Sequence, residues 1–111
     1  MALLAHHDLH GRSAYQPVIQ EHRGRWIAYV GHHSGAQLNR LTGRTEANGT
    51  SIIDVTDPRQ PRYLQHIPGD AAGRGGSSGA QMVRVCNGDE LPGGRPGRSY
   101  LLNAGADYHQ V

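Results

Sequence analysis

Gly49–Gly69, GTSIIDVTDPRQPRYLQHIPG, decides the fold class, because its strand chemistry and its turn chemistry agree. Residues 50–55, TSIIDV, are rich in β-branched side chains that suit a pleated surface, with Asn-Gly before them and Asp-Pro after. Asp57 can accept a hydrogen bond from the N–H two residues on, and Pro58 sets φ for the second position of a type I turn. Pro61 stands where a strand can begin without donating to the ladder. Tyr63, Leu64, His66 and Ile67 then form a return strand, which Pro68-Gly69 ends. The stretch is an antiparallel hairpin.

Working outward, Tyr15–His22 reads as a strand with Pro17 near its start, and Arg23-Gly24 as a turn. Arg25–Gly31, RWIAYVG, has a nearly continuous apolar run, as expected of a strand covered on both faces. His32–Asn48 reads as a long polar loop and residues 69–79, GDAAGRGGSSG, as a flexible linker. Ala80–Cys86 and Arg98–Asn103 are further strands, joined by the turn-rich NGDELPGGRPG, and His109–Val111 looks like a strand beginning. Val18-Ile19-Gln20, leading through Gly24-Arg25 to an apolar strand, is weakly echoed by Met82-Val83-Arg84 leading through Gly97-Arg98 to another. The division expected is a loose lead-in over 1–14, a four-stranded blade over 15–69, a linker over 70–79 and an incomplete second blade over 80–111. Four-stranded units repeating at this interval are the sequence form of propeller blades.

The segment SIIDVTDPRQPRYLQHIPG, with WIAYVGHHSG and NGTSIIDV, resembles the LVIVD-repeat family of bacterial β-propeller proteins. In that family a strand ending Asp-Val-[Ser/Thr]-Asp-Pro is followed by a Pro and a return strand. Ser51–Pro61 carries the match, which runs in register over about residues 18–111 with one full copy of the motif. The resemblance implies an all-β, antiparallel four-stranded propeller-type blade plus the start of a second, an incomplete β-propeller. On this reading the chain is a fragment of a repeat protein acting as a binding or scaffold module. A lone blade leaves apolar faces and an open edge, so self-association or missing propeller blades would complete it.

Composition narrows the rest. The chain has 111 residues with 36% hydrophobic, 16 Gly and no Phe, a thin supply for one small core. Its basic residues are all Arg, scattered from Arg12 to Arg98 without a run, so no nucleic-acid partner is expected. No stretch approaches the roughly 20 apolar residues of a membrane helix, and the start MALLA lacks the length and basic flank of a signal peptide. Cys86, the one cysteine, reads as a small buried hydrophobe, and Trp26 as a core or inter-blade packing residue.

Eight histidines supply the main candidate chemistry. Imidazole ligates divalent transition metals and titrates near neutrality. His32 and His33 end the strongest strand, while His66 and His109 lie near other strand ends, so these four are the expected ligands of a site at a propeller axis. Adjacent His32 and His33 cannot share one face of a strand. This gives the alternative function, a metal-dependent enzyme or metal-binding protein; the competing reading is ordinary loop and turn histidines. His6-His7 reads as part of a disordered start. Gly75–Gly79 fits G-x-S-x-G, but a strand follows it where a nucleophile elbow needs a helix. Asp54 and Asp57 read as strand and turn residues. Asn48-Gly49-Thr50 fits a glycosylation sequon but is first a turn.

Overall fold

The computed structural model describes residues 2–33, 35–69 and 80–105. It contains β1 (Pro17–His22), β2 (Arg25–Gly31), β3 (Ala36–Asn39), β4 (Arg44–Ala47), β5 (Thr50–Asp54), β6 (Arg62–Ile67), β7 (Ala80–Asn87) and β8 (Ser99–Gly105). The described residues include no α-helix, only short 3-10 turns at Leu9–Gly11 and Gly88–Glu90. Every pairing is antiparallel, so the chain is all-β as its sequence leads one to expect. The main sheet has the order β1-β2-β5-β6, and β3-β4 and β7-β8 form separate two-stranded sheets.

The decisive hairpin folds by the predicted chemistry. Asp57 Oδ1 accepts from the Arg59 N–H at 3.0 Å, and the Gln60 N–H donates to Asp57 O at 3.0 Å, closing the turn around Pro58. The β1–β2 turn uses Arg23 and Gly24 at φ of 52° and 84°. Positive φ at both positions defines a type I′ turn, whose twist matches that of the strands it joins.

Three regions depart from expectation. His32–Asn48 is not a plain loop: β3 and β4 pair from Ala36↔Ala47 to Asn39↔Arg44. Asn39 makes this possible by accepting the Leu41 N–H on Oδ1 at 2.9 Å, while its backbone oxygen takes Gly43 N–H at 2.8 Å. Such local side-chain bonding leaves no hydrophobic period to read. The supposed lead-in is docked, with His10 at 7% and Arg12 at 5% exposure. Trp26 is 47% exposed rather than in the core, and Cys86 is only partly buried. The 70–79 linker, including the Gly75–Gly79 motif, and His109–Val111 lie outside the described residues.

Strand alternation defines two faces of the main sheet. Ala28 opposite Ile53 and Val30 opposite Ser51 share one face. Ala28, Val30 and Ile53 form the core cluster, with Leu9, Val55 and Tyr63 packed on it. The other face carries Gln20 and His22, which reach across to β7 and β8: Gln20 Nε2 donates to Asn87 Oδ1 at 3.2 Å, and Ser99 Oγ lies 3.0 Å from His22 Nδ1. Val83 of β7 is 1% exposed. Apart from Ile27 and that apolar set, most of the buried side chains are polar: His10, Arg12, His32, Asn39, Asn48, Thr50, Ser51 and His66. An interior of this kind depends on its hydrogen bonds being complete.

Candidate functional site

The polar interior gathers on the Ala28–Val30 face, and a β-bulge assembles it. β5 and β6 pair as Ser51↔His66 and Ile52↔Gln65, then slip so that Ile53 faces Tyr63. Leu64 is the extra residue. In a regular strand Tyr63 and His66, three apart, would lie on opposite faces; the bulge puts both on the face of Ser51 and Ile53. His32 follows β2 in the same alternation as Ala28 and Val30, and its N–H donates to Gly49 O at 3.0 Å, prolonging the ladder.

Partner chemistry fixes the direction of each bond. His32 Nδ1 meets Ser13 O, which can only accept, so Nδ1 carries the proton. Nε2 is therefore the acceptor, and Ser51 Oγ–H donates to it at 2.6 Å. Ser51 Oγ in turn accepts from the Tyr63 hydroxyl. The result is a one-way chain, Tyr63 to Ser51 to His32 to Ser13. His32 and Ser51 are both 0% exposed. Burial pushes His32 down to about 4, so the imidazole is neutral at pH 7.

His66 is organised in the same way. The Gly49 N–H donates to Nε2 at 3.1 Å, which leaves Nδ1–H to donate to Glu46 Oε1 at 2.8 Å. Glu46 Oε1 also accepts from Asn39 Nδ2 at 2.9 Å. Burial lowers the His66 pKa, with Glu46 opposing. Glu46 itself is held below its ordinary value: desolvation raises it, but hydrogen bonds from His66 and Asn39 prevail.

The N-terminal segment closes this face. Arg12 donates to Asn48 Oδ1 at 2.6 Å, Gln37 O at 3.1 Å and Glu46 O at 3.2 Å, pinning the segment to the β3–β4 hairpin. Asn48 Nδ2 donates to His33 O at 3.1 Å. The sequon asparagine is thus a buried structural residue. His10 stacks on Tyr63 with ring centroids 4.0 Å apart, and His7 lies 5.4 Å from Tyr63. His7 therefore belongs to the packed segment, against the reading of a disordered start. Asp8 pairs with Arg40 at 3.0 Å, outside the cluster.

Of the four expected metal ligands, His32 and His66 come together, with ring centroids 5.9 Å apart. All four of their ring nitrogens have protein partners. His33 points the other way, edge-on to Tyr15 at 5.1 Å, as strand alternation requires. His109 lies outside the described residues. Among the described residues, no group of three or more His, Cys, Asp or Glu could hold a metal ion. Sequence reasoning missed Ser51, Tyr63, Glu46, Arg12 and His10. Only its polarity at an inward position of a strand could have flagged Ser51; Tyr63 needs the bulge.

Tyr63→Phe keeps the ring stack and removes one donor from Ser51. It should cost about 1 kcal/mol, the net worth of one hydrogen bond, in urea unfolding with an unchanged slope. No protein-family model, curated protein or solved structure matches the chain.

Proposed function

We propose that the chain is a propeller-type binding or scaffold module of the LVIVD-repeat kind, with its buried polar cluster a structural keystone. One observation supports this most: the main sheet stacks against β7–β8 on one face, while the other, beyond the part that the N-terminal segment closes, still presents apolar side chains. Ile19 is 56% and Trp26 47% exposed, on the face that also carries Ala28. A blade in a ring has a neighbour on each side, and this face is dressed for a second one. The cluster fits the same reading, because His32 and Ser51 have no exposed surface through which to meet a substrate.

The partner proposed for the uncovered margin of this face, around Ile19 and Trp26, is another sheet of the same kind, supplied by a second copy of the chain. Trp26, the single tryptophan, reports on it directly. Sedimentation velocity of the full chain should show concentration-dependent association, with a matching blue shift of Trp26 emission. Ile19→Lys should abolish both while leaving the far-UV CD spectrum unchanged. A monomer with a water-exposed indole at every concentration would overturn this reading of the face.

The 5.9 Å approach of His32 and His66 is the feature behind a second reading, a transition-metal site, which requires each ring to give up a protein partner. Metal bound stoichiometrically to the purified chain, and lost in a folded His66→Gln variant, would decide for it.

A further inference from the structure

We propose that a cleft remote from the buried cluster, between the β1–β2 turn and the Gly88–Arg98 connection, binds the phosphate group of a small ligand. The cleft encloses about 480 Å³, room for a phosphomonoester of modest size, and Arg23, Arg98, His22 and Ser99 line it.

Arg23 is the first observation. It occupies the leading position of the type I′ turn at φ 52°, where a long side chain is disfavoured and Asn is the preferred residue. Its guanidinium lies over Gly97, where an added Cβ would sit 3.2 Å from Nη2. A locally unfavourable residue, aimed across a gap kept open by a glycine, marks a position whose side chain serves something other than the turn. Neither the Arg23 nor the Arg98 guanidinium is in an ion pair among the described residues. Two unpaired guanidiniums facing one cleft form a dianion receptor, since each presents a fork of donors matched to phosphate oxygens.

Ser99 supplies the second observation. His22 bridges the Tyr29 hydroxyl, 2.9 Å from Nε2, and Ser99 Oγ, 3.0 Å from Nδ1. In the tautomer with the proton on Nδ1, Tyr29 donates to His22 and His22 donates to Ser99. The Ser99 hydrogen then goes to Asn87 Oδ1, at 3.3 Å, a long contact for an O–H donor. Gln20 already donates to that same oxygen at 3.2 Å. Turning the Ser99 hydroxyl onto a phosphate oxygen therefore leaves no group unsatisfied. Two carboxylates also line the cleft. They are Glu21 and Asp89, so the two guanidiniums and the Ser99 hydroxyl must hold the phosphate against them.

The test is titration of the full chain with inorganic phosphate and with phenyl phosphate, followed by arginine and backbone NMR shifts at constant ionic strength. Saturable shifts at Arg23, Arg98 and Ser99 are expected. Arg23→Asn suits the turn, so it separates binding from folding: with Arg98→Gln it should weaken phosphate at least about tenfold in a chain that still folds. Ser99→Ala should weaken it less. Equal responses to acetate and phosphate, or phosphate affinity retained in the double variant, would overturn the proposal. So would the absence of any saturable shift.

Discussion

Acidification from pH 7 to 4.5 should destabilise the fold steeply. His10, His32 and His66 all have pKa values lowered chiefly by burial. Each accepts a hydrogen bond that a proton would displace: His10 Nδ1 from the Arg40 N–H at 3.3 Å, His66 Nε2 from Gly49, and His32 Nε2 from Ser51. Arg40, His7 and Arg12 lie near His10 and add to its shift, with Asp8 opposing. A histidine whose folded pKa is depressed binds its proton preferentially in the unfolded chain. Its contribution is therefore whole above the unfolded value near 6.5 and is lost as pH falls toward the folded value. For His32, at about 4, that span is worth about 3 kcal/mol. Asp8, Glu46 and Asp54 have lowered values, so their contributions fade only in more acid solution. Urea unfolding at half-unit pH steps should show stability rising with pH across the window. His32→Gln should flatten the slope by about one proton. A level profile between pH 7 and 5 would contradict the assignment of buried neutral imidazoles.

Gly49→Ala should cost about 3 kcal/mol or more, enough to unfold a domain of this size at moderate temperature. A Cβ on Gly49 would stand 2.0 Å from Ile67 O, 2.6 Å from Gly69 N and 2.7 Å from Pro68 C. All three are backbone atoms, and none can swing aside. The same residue gives its N–H to His66 and its carbonyl to the His32 N–H, so displacing it loosens both imidazoles together. Gly43→Ala is the control. Its φ is 75° but nothing lies within 4 Å, so only the left-handed conformation is penalised, at about 1 kcal/mol. Thermal melts of the two variants should differ widely; similar melts would mean that the chain at 67–69 does not press on Gly49.

Gly49 also shows where local reading stops. Asn48-Gly49 looks like a turn pair, and a turn glycine is valued for positive φ. The demand at Gly49 is for space instead, made by residues some twenty positions away. His32–Asn48 shows the same limit. Its hairpin is held by Asn39 and by Arg12 from the distant N-terminal segment, neither of which leaves a hydrophobic rhythm in the sequence.

Alternation and turn chemistry alone determined the all-β class, the hairpin around Pro58, the strands on either side of Arg23-Gly24 and the opposed directions of His32 and His33, because each rests on neighbours within a few residues. The tertiary structure decided the rest: the bulge at Leu64 that turns Tyr63 inward, the meeting of His32 with Ser51 and of His66 with Glu46, and the burial of Arg12 and His10. Those outcomes depend on register and on segments far apart in the chain. A slip of one residue between β5 and β6 rewrites a whole face, and no single strand records it.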